Sequence, residues 1–169
     1  MIKQQMHIGI DDTDSTRRGC TTYVAALLVE KLEKLGVKFL DYPNLIRLNP
    51  NVPWKTRGNG ALCLRISYAD ALEDKIKDAT LSLVEEYSDI SFRGTDPGIV
   101  FITREEMPEE IKVFAKKAIT GIVTLKEAVK LVKKFGGEAY GFNTCRGIIG
   151  ALAAIGETLE ADHTYELIA

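Results

Sequence analysis

An α/β fold (α+β) follows from three features of the sequence. Short apolar runs alternate with longer stretches whose apolar residues recur at helical spacing. Glycines and prolines punctuate most of the junctions between them. The first junction, Gly9-Ile10-Asp11-Asp12-Thr13-Asp14-Ser15, sets three Asp between an apolar run and a helix, at the edge of a sheet where ligands bind in α/β proteins. The 169 residues suffice for one ordinary domain or two small ones, and two lobes are expected.

The elements follow in order. His7 to Ile10 is a short apolar run and predicts a strand. Val24, Leu28, Leu32 and Leu35 share one helical face, so a helix is expected from Thr21 to about Leu35, capped by Thr21 or Thr22 and stopped at Gly36. Val37 to Leu40 predicts the next strand, completing a βαβ unit. Leu45 to Leu48 is a short strand inside a loop rich in proline and glycine. Ala61 to Tyr68 alternates as a strand, and Leu72, Ile76, Ala79, Leu83 and Tyr87 make 69–87 an amphipathic helix. Asp96-Pro97-Gly98 is a turn, and Ile99 to Thr103 a strand. Helices are expected over 108–120, opening with Pro and two Glu, and over 125–135, closed by Gly136-Gly137. A strand over 138–142, a small-residue helix over 145–155 and a strand over 164–169 complete the chain. The last strand stops within an apolar alternation, which reads as a fragment of a longer protein.

Hydrophobic residues make up 46% and charged residues 27%, a composition that excludes disorder, and no run approaches the length of a membrane span. The N-terminus lacks the apolar core of a signal peptide, so a cytoplasmic location is expected. Cys20, Cys63 and Cys145 are odd in number and far apart, offering neither a disulfide framework nor a zinc pair. The net charge of −2 hides an uneven distribution. From Tyr42 to Ala69 there is no acid but there are Arg47, Lys55, Arg57 and Arg65; from Gly147 onward there is no Lys or Arg but there are Glu157, Glu160, Asp162 and Glu166.

Asp11, Asp12 and Asp14 repel one another unless a cation sits among them, and Mg²⁺ holding a nucleotide phosphate is the economical reason for the cluster. Thr13, between Asp12 and Asp14, and Ser15, just after Asp14, are candidate ligand-binding hydroxyls. Turn and N-cap chemistry is the plain alternative, though a cap needs only one such residue. Asp12-Thr13-Asp14-Ser15-Thr16 also fits the DxDxT pattern of dehalogenase-like phosphotransferases, in which Asp12 would be a covalent nucleophile. Thr21, at a helix start, is either an N-cap or a residue that binds or accepts phosphate. Lys55 and Arg57 flank Thr56 ahead of the turn Gly58-Asn59-Gly60, where backbone N–H groups can approach a phosphate closely. Trp54 and Tyr42 are candidates for stacking on a base. Arg146-Gly147-Ile148-Ile149-Gly150 opens a glycine-containing helix whose small residues serve either a ligand or close packing. A phosphoryl-transfer enzyme leads; a phosphatase with Asp12 as nucleophile and a non-catalytic nucleotide- or RNA-binding module are the alternatives.

These blocks, together with Cys20-Thr21-Thr22-Tyr23, Leu45 to Gly60 and Asp162-His163-Thr164-Tyr165-Glu166, resemble the archaeal tRNA-isoleucine 2-agmatinylcytidine synthetase family over essentially the whole chain. The resemblance implies a kinase-like catalytic domain formed by residues 1–60 and 108–169, interrupted by a ferredoxin-like insertion at 61–107. It implies an ATP-dependent ligase that phosphorylates C2 of the wobble cytidine of an isoleucine tRNA with a CAU anticodon, for attack by agmatine. Asp11, Asp12 and Asp14 would hold Mg²⁺ on ATP, and Thr21 matches a phosphorylated threonine. Lys55, Arg57, Gly58, Asn59, Gly60, Arg146 and Gly147 would line the site. The OB-fold and zinc-ribbon domains that normally follow have no counterpart in these residues.

Overall fold

The computed structural model describes residues 2–53, 59–160 and 164–165. Among them one antiparallel sheet carries β1 (Lys3–Asp11), β2 (Lys38–Phe39), β3 (Asn44–Arg47), β4 (Gly60–Ala69), β5 (Gly98–Ile102), β6 (Glu138–Gly141) and β7 (Thr164–Tyr165), in the order β6-β5-β1-β4-β3-β7, with β2 also on β4. The helices are α1 (Thr21–Lys34), α2 (Glu73–Tyr87), α3 (Glu109–Thr120), α4 (Leu125–Lys134) and α5 (Gly147–Glu157). No helix among the described residues is long and apolar enough to cross a membrane.

The expected βαβ unit is a split one. β2 and β3 bond to β4 and not to β1, with Lys38 opposite Ser67 and Asn44 opposite Cys63. β4 bonds in turn to β1, with Ile8 opposite Leu64. β1 and β3 therefore run the same way with β4 between them, while β4 and β5 run the same way on either side of β1. Two interleaved split βαβ units of this kind have the ferredoxin-like strand order, and here they extend from Lys3 to Ile102.

Alternation along β1 assigns its two faces. Met6, Ile8 and Ile10 pack with Val24, Leu28 and Leu32 of α1 and Ile76 and Val84 of α2. Each of these α1 side chains is fully buried and contributes about 2 kcal/mol of apolar transfer. His7, Gly9 and Asp11 alternate onto the other face, which α5 covers. There Ala151 to Ile155 join Cys63, Val100 and Ile102 of the sheet and Ile111, Phe114 and Ala115 of α3. A helix apolar all round belongs in a core, and almost every residue of α5 is buried. Gly9 lets it come that close: a Cβ there would stand 2.7 Å from the Ala151 carbonyl carbon.

Helix ends follow the sequence signals closely. Gly36 has φ +88, its N–H donates to the Glu33 carbonyl, and the Val37 N–H donates to the Leu32 carbonyl, which closes α1 as a Schellman motif. Gly136 and Gly137 close α4 in the same way. Thr124 and Glu127 form a capping box at its start. α1 is capped differently from expectation: Cys20 occupies its N-cap position without a side-chain bond, and the Thr21 hydroxyl turns to Thr13.

Candidate active site

The Asp loop leaves β1 at its carboxyl end and is clamped from two sides. Asp12 sits at φ +59, and its Oδ2 accepts the Asp96 N–H at 2.9 Å. Thr95 Oγ1 donates to the Asp14 carbonyl, and the Asp89 N–H donates to the Thr13 carbonyl. Asp96 reaches the third loop as well. Its Oδ1 accepts the Thr144 N–H at 3.0 Å, and its carbonyl accepts the Gly147 N–H at 2.8 Å. Asn143 adds a two-pronged link, donating to the carbonyls of Ile90 and Thr95. The loops around residues 11–19, 89–98 and 142–147 are thus one hydrogen-bonded body.

A second clamp holds the far end of the Asp loop. Ser15 Oγ donates to Asp89 Oδ2 at 2.7 Å and accepts the N–H groups of Arg17 and Arg18. Arg17 grips both Asp89 oxygens at 2.7 Å, and Arg18 Nε lies 3.0 Å from Oδ1. The Asp89 side chain is fully covered, and its partners, Arg17 first, hold it well below the usual carboxylate range. Arg17 also lies over the Phe92 ring.

A solvent-open cleft gathers much of what the sequence singled out. Asp11, Asp12, Asp14, Asn59, Gly60, Arg146 and Gly147 line it, with Gly150 and the apolar residues Leu48, Val52, Ile122 and Val123. Residues more than eighty positions apart meet because α5 lies on β1, which brings its start beside Asp11. Gly150 leaves the space that the Asp11 carboxylate occupies. Thr13 and Ser15 are instead fully buried, their hydroxyls bound to Thr21 and Asp89. Thr21 is also buried, shares a 2.9 Å hydrogen bond with Thr13, and does not line the cleft. Lys55, Arg57, Gly58, Trp54 and His163 lie outside the described residues.

The electrostatics of the cleft are those of carboxylates crowded away from water. Asp12 is pushed up to about 7, first by burial and then by the charges of Asp96 and Asp14; the Asp96 N–H and Arg146 pull the other way. Asp11 is raised well above the carboxylate range by burial and then by Asp12. Either group ionises more readily when a cation arrives. Among the described residues no three His, Cys, Asp or Glu side chains converge as a metal-ligand set. Asp11, Asp12 and Asp14 line the open cleft and could offer a cation one or two carboxylates, with its other positions left to phosphate and water.

Sequence reasoning left out Asp89, which carries no local signal, and read Asp96 only as a turn residue.

Residues 7–71 match the family model of the TiaS TCKD domain. The chain is 47% identical to the tRNA(Ile2) 2-agmatinylcytidine synthetase TiaS of Thermococcus sibiricus over its whole length, covering 38% of that protein. The chain is similar to TiaS proteins over part of their length. The Pyrococcus horikoshii TiaS is 45% identical over 97% of the chain, again covering 38% of the relative. The chain thus spans well under half the length of these curated TiaS proteins. Among solved structures, a TiaS–tRNA(Ile2)–ATP complex superposes with a TM-score of 0.85 at 39% identity, over 94% of the chain and 37% of that protein. A TiaS–tRNA(Ile2)–AMPCPP–agmatine complex gives 0.83 at 37% identity, over 94% and 37%. The mixed helical and antiparallel architecture is therefore that of TiaS.

Proposed function

We propose that this chain is the ATP-using catalytic part of a tRNA 2-agmatinylcytidine synthetase. The observation that carries the reading is the convergence of the Asp loop, the Asn59–Gly60 turn and the Arg146–Gly147 helix start on one cleft, in a chain whose relatives bear that name. The C2 oxygen of cytidine is a poor leaving group. Transfer of the γ-phosphoryl group of ATP to that oxygen makes it a good one. The primary amine of agmatine then attacks C2, the C2–O bond breaks, phosphate departs with the oxygen, and the amine loses its proton.

Each residue has a part in this scheme. Arg146, with Lys55 and Arg57, offsets the charge of the transferring phosphoryl group, and Asn59 and Gly60 bring backbone and amide donors to the phosphates. One or two of Asp11, Asp12 and Asp14 would hold Mg²⁺, which neutralises phosphate charge when bound. Thr13 and Ser15 act through the loop, by fixing Thr21 and joining Asp89. Thr21 is proposed as a phosphoryl acceptor in a separate event, its Oγ1–P bond forming as the bond from phosphorus to the nucleotide breaks; this requires Thr13 to turn away from its hydroxyl.

The test uses γ-labelled ATP and Mg²⁺, with and without a transcript of an isoleucine tRNA bearing a CAU anticodon and agmatine. Label released as phosphate or found on Thr21, and abolished by Asp12→Ala, is the expected result. Neither release nor transfer in any combination would overturn the catalytic reading, leaving a nucleotide- or RNA-binding module.

A further inference from the structure

Backbone strain in this chain is gathered in one place. Among the described residues, three that are not glycine have left-handed backbone: Asp12 at φ +59, Asn143 at φ +55 and Cys145 at φ +61. All three lie on loops bonded to the short segment 95–97. The Asp96 N–H donates to Asp12 Oδ2, and Asn143 Nδ2 donates to the Thr95 carbonyl. The Phe142 N–H donates to the Pro97 carbonyl at 3.0 Å, and the Cys145 N–H donates to the Phe142 carbonyl at 2.9 Å. Asp and Asn tolerate such a backbone through their short polar side chains, but cysteine has no such compensation. Conformations of this kind persist only where the surroundings over-determine them, and they cluster at functional sites.

The bonds converge on Asp96. Its N–H holds Asp12, its Oδ1 accepts the Thr144 N–H, and its carbonyl accepts the Gly147 N–H. The junction is also sterically closed. A Cβ at Gly147 would stand 2.7 Å from the Asp96 carbonyl oxygen, and a Cβ at Gly98 would run into the backbone of Gly147 and Ile148. Segment and helix start therefore meet backbone to backbone, with no side chain between them to absorb a shift. Arg146 lies between Thr144 and Gly147, the two residues so held. Asp96 itself is buried and does not line the cleft, whereas Asp12 and Arg146 both do. We propose that Asp96 is a positioning residue for phosphoryl transfer, fixing the gap between the Asp12 carboxylate and the helix start that carries Arg146. The proposal rests on the phosphoryl-transfer reading and adds to it a residue outside the cleft. Ordinary turn chemistry would account for one of these bonds. It does not account for one residue serving two strained loops with three groups, where Asp12 faces the cation and Arg146 the phosphate and a reacting group between them needs both at once.

Steady-state turnover of Mg-ATP with the tRNA transcript and agmatine, read alongside thermal unfolding, tests this on the wild-type chain, Asp96→Ala, Asp96→Asn and Asn143→Gly. Asp96→Ala keeps the N–H that holds Asp12 and loses the acceptor for Thr144. It is expected to lower kcat about a hundredfold, the cost of misplacement by about an ångström. KM for Mg-ATP is expected to stay within about threefold, because no group lining the cleft has been removed. Asp96→Asn keeps an acceptor oxygen, neutral and somewhat weaker, and is expected to recover kcat to within about fivefold of wild type. Asn143→Gly accepts the left-handed backbone without strain but loses both links, to Ile90 and Thr95. It is expected to fold and to lower kcat about tenfold, which keeps a folded variant in the series should Asp96→Ala unfold. Unchanged kcat in Asn143→Gly, or in folded Asp96→Ala, would overturn the assignment while leaving the phosphoryl-transfer reading intact. A raised KM at unchanged kcat would also overturn it, because the effect would then belong to binding. Asp96→Asn as slow as Asp96→Ala would overturn it too, by placing the effect in the charge and not in the tether. A wild-type chain that turns over no ATP would sink the parent reading and the assignment with it.

Discussion

Gly150→Ala separates the site from the stability of the helix that carries it. A Cβ at 150 would stand 2.6 Å from Asp11 Cγ and 3.0 Å from Asp11 Cβ, with the carboxylate oxygen closer still. Two energies oppose each other. Alanine in place of glycine inside a helix gains about 0.5–1 kcal/mol, while overpacking a filled site costs about 1–3 kcal/mol. The net loss is about 1 kcal/mol, a minor fraction of a typical domain's stability. The Asp11 carboxylate must nevertheless move by about an ångström, and misplacement on that scale costs about a hundredfold in rate. Gly156→Ala is the control, because its Cβ would meet Ala115 Cβ at 2.6 Å and the Ile111 carbonyl at 2.7 Å on the α3 side. Urea denaturation and ATP turnover, measured on both variants, give the answer. Gly150→Ala is expected to lose turnover at near-normal stability, and Gly156→Ala to lose stability at normal turnover per folded molecule. Full turnover in Gly150→Ala would refute the role given to Asp11 and to the seat that Gly150 makes for it.

Three further outcomes are expected. His7 is buried beside Arg65, and its imidazole falls from 6.5 to about 4, first through burial and then through that charge. The unfolded chain therefore binds a proton between those values that the folded chain refuses, so this group's contribution, roughly 3 kcal/mol, is present above pH 6.5 and lost as pH falls toward 4; His7→Leu should flatten that part of a urea-denaturation pH series. Asp89→Asn should free the loop that carries Arg17 and Arg18, seen as faster tryptic cleavage there with α1 intact by circular dichroism. Asp12 ionises near pH 7 in the folded chain, so Mg²⁺ should raise the unfolding midpoint more at pH 8 than at pH 6, an increment that Asp12→Asn removes.

Local physics wrote much of the fold into the sequence. Gly36 and Gly136 were legible as helix stops because a left-handed residue after a helix nearly requires glycine. The apolar spacing of Val24, Leu28 and Leu32 marked the buried face of α1 for the same kind of reason, one residue per turn. Strand order was not legible. Nothing in Val37 to Leu40 says that it will bond to β4, whose sequence comes more than twenty residues later. The Asp cluster was visible because like charges within four positions demand an explanation. Its supports were invisible: Ser15 finds Asp89 across 74 residues, and Asp12 finds the Asp96 N–H across 84. Side-chain direction in the loop was hidden too. Thr13 and Ser15 looked like ligand-binding hydroxyls, yet an irregular loop has no period from which to read which groups turn inward.

The three-loop body held by Asp96 has a temporal consequence. Its members are Asp12 near the start of the chain, Asp96 in the middle, and Thr144 and Gly147 at the opening of α5. Contacts so distant in sequence form late in folding. On the ribosome the carboxylates emerge first and wait, without the helix start and arginine that complete the cleft, until α5 has been synthesised and has settled on β1. A nascent chain therefore carries the cation-seeking end of the cleft long before α5 supplies the other end.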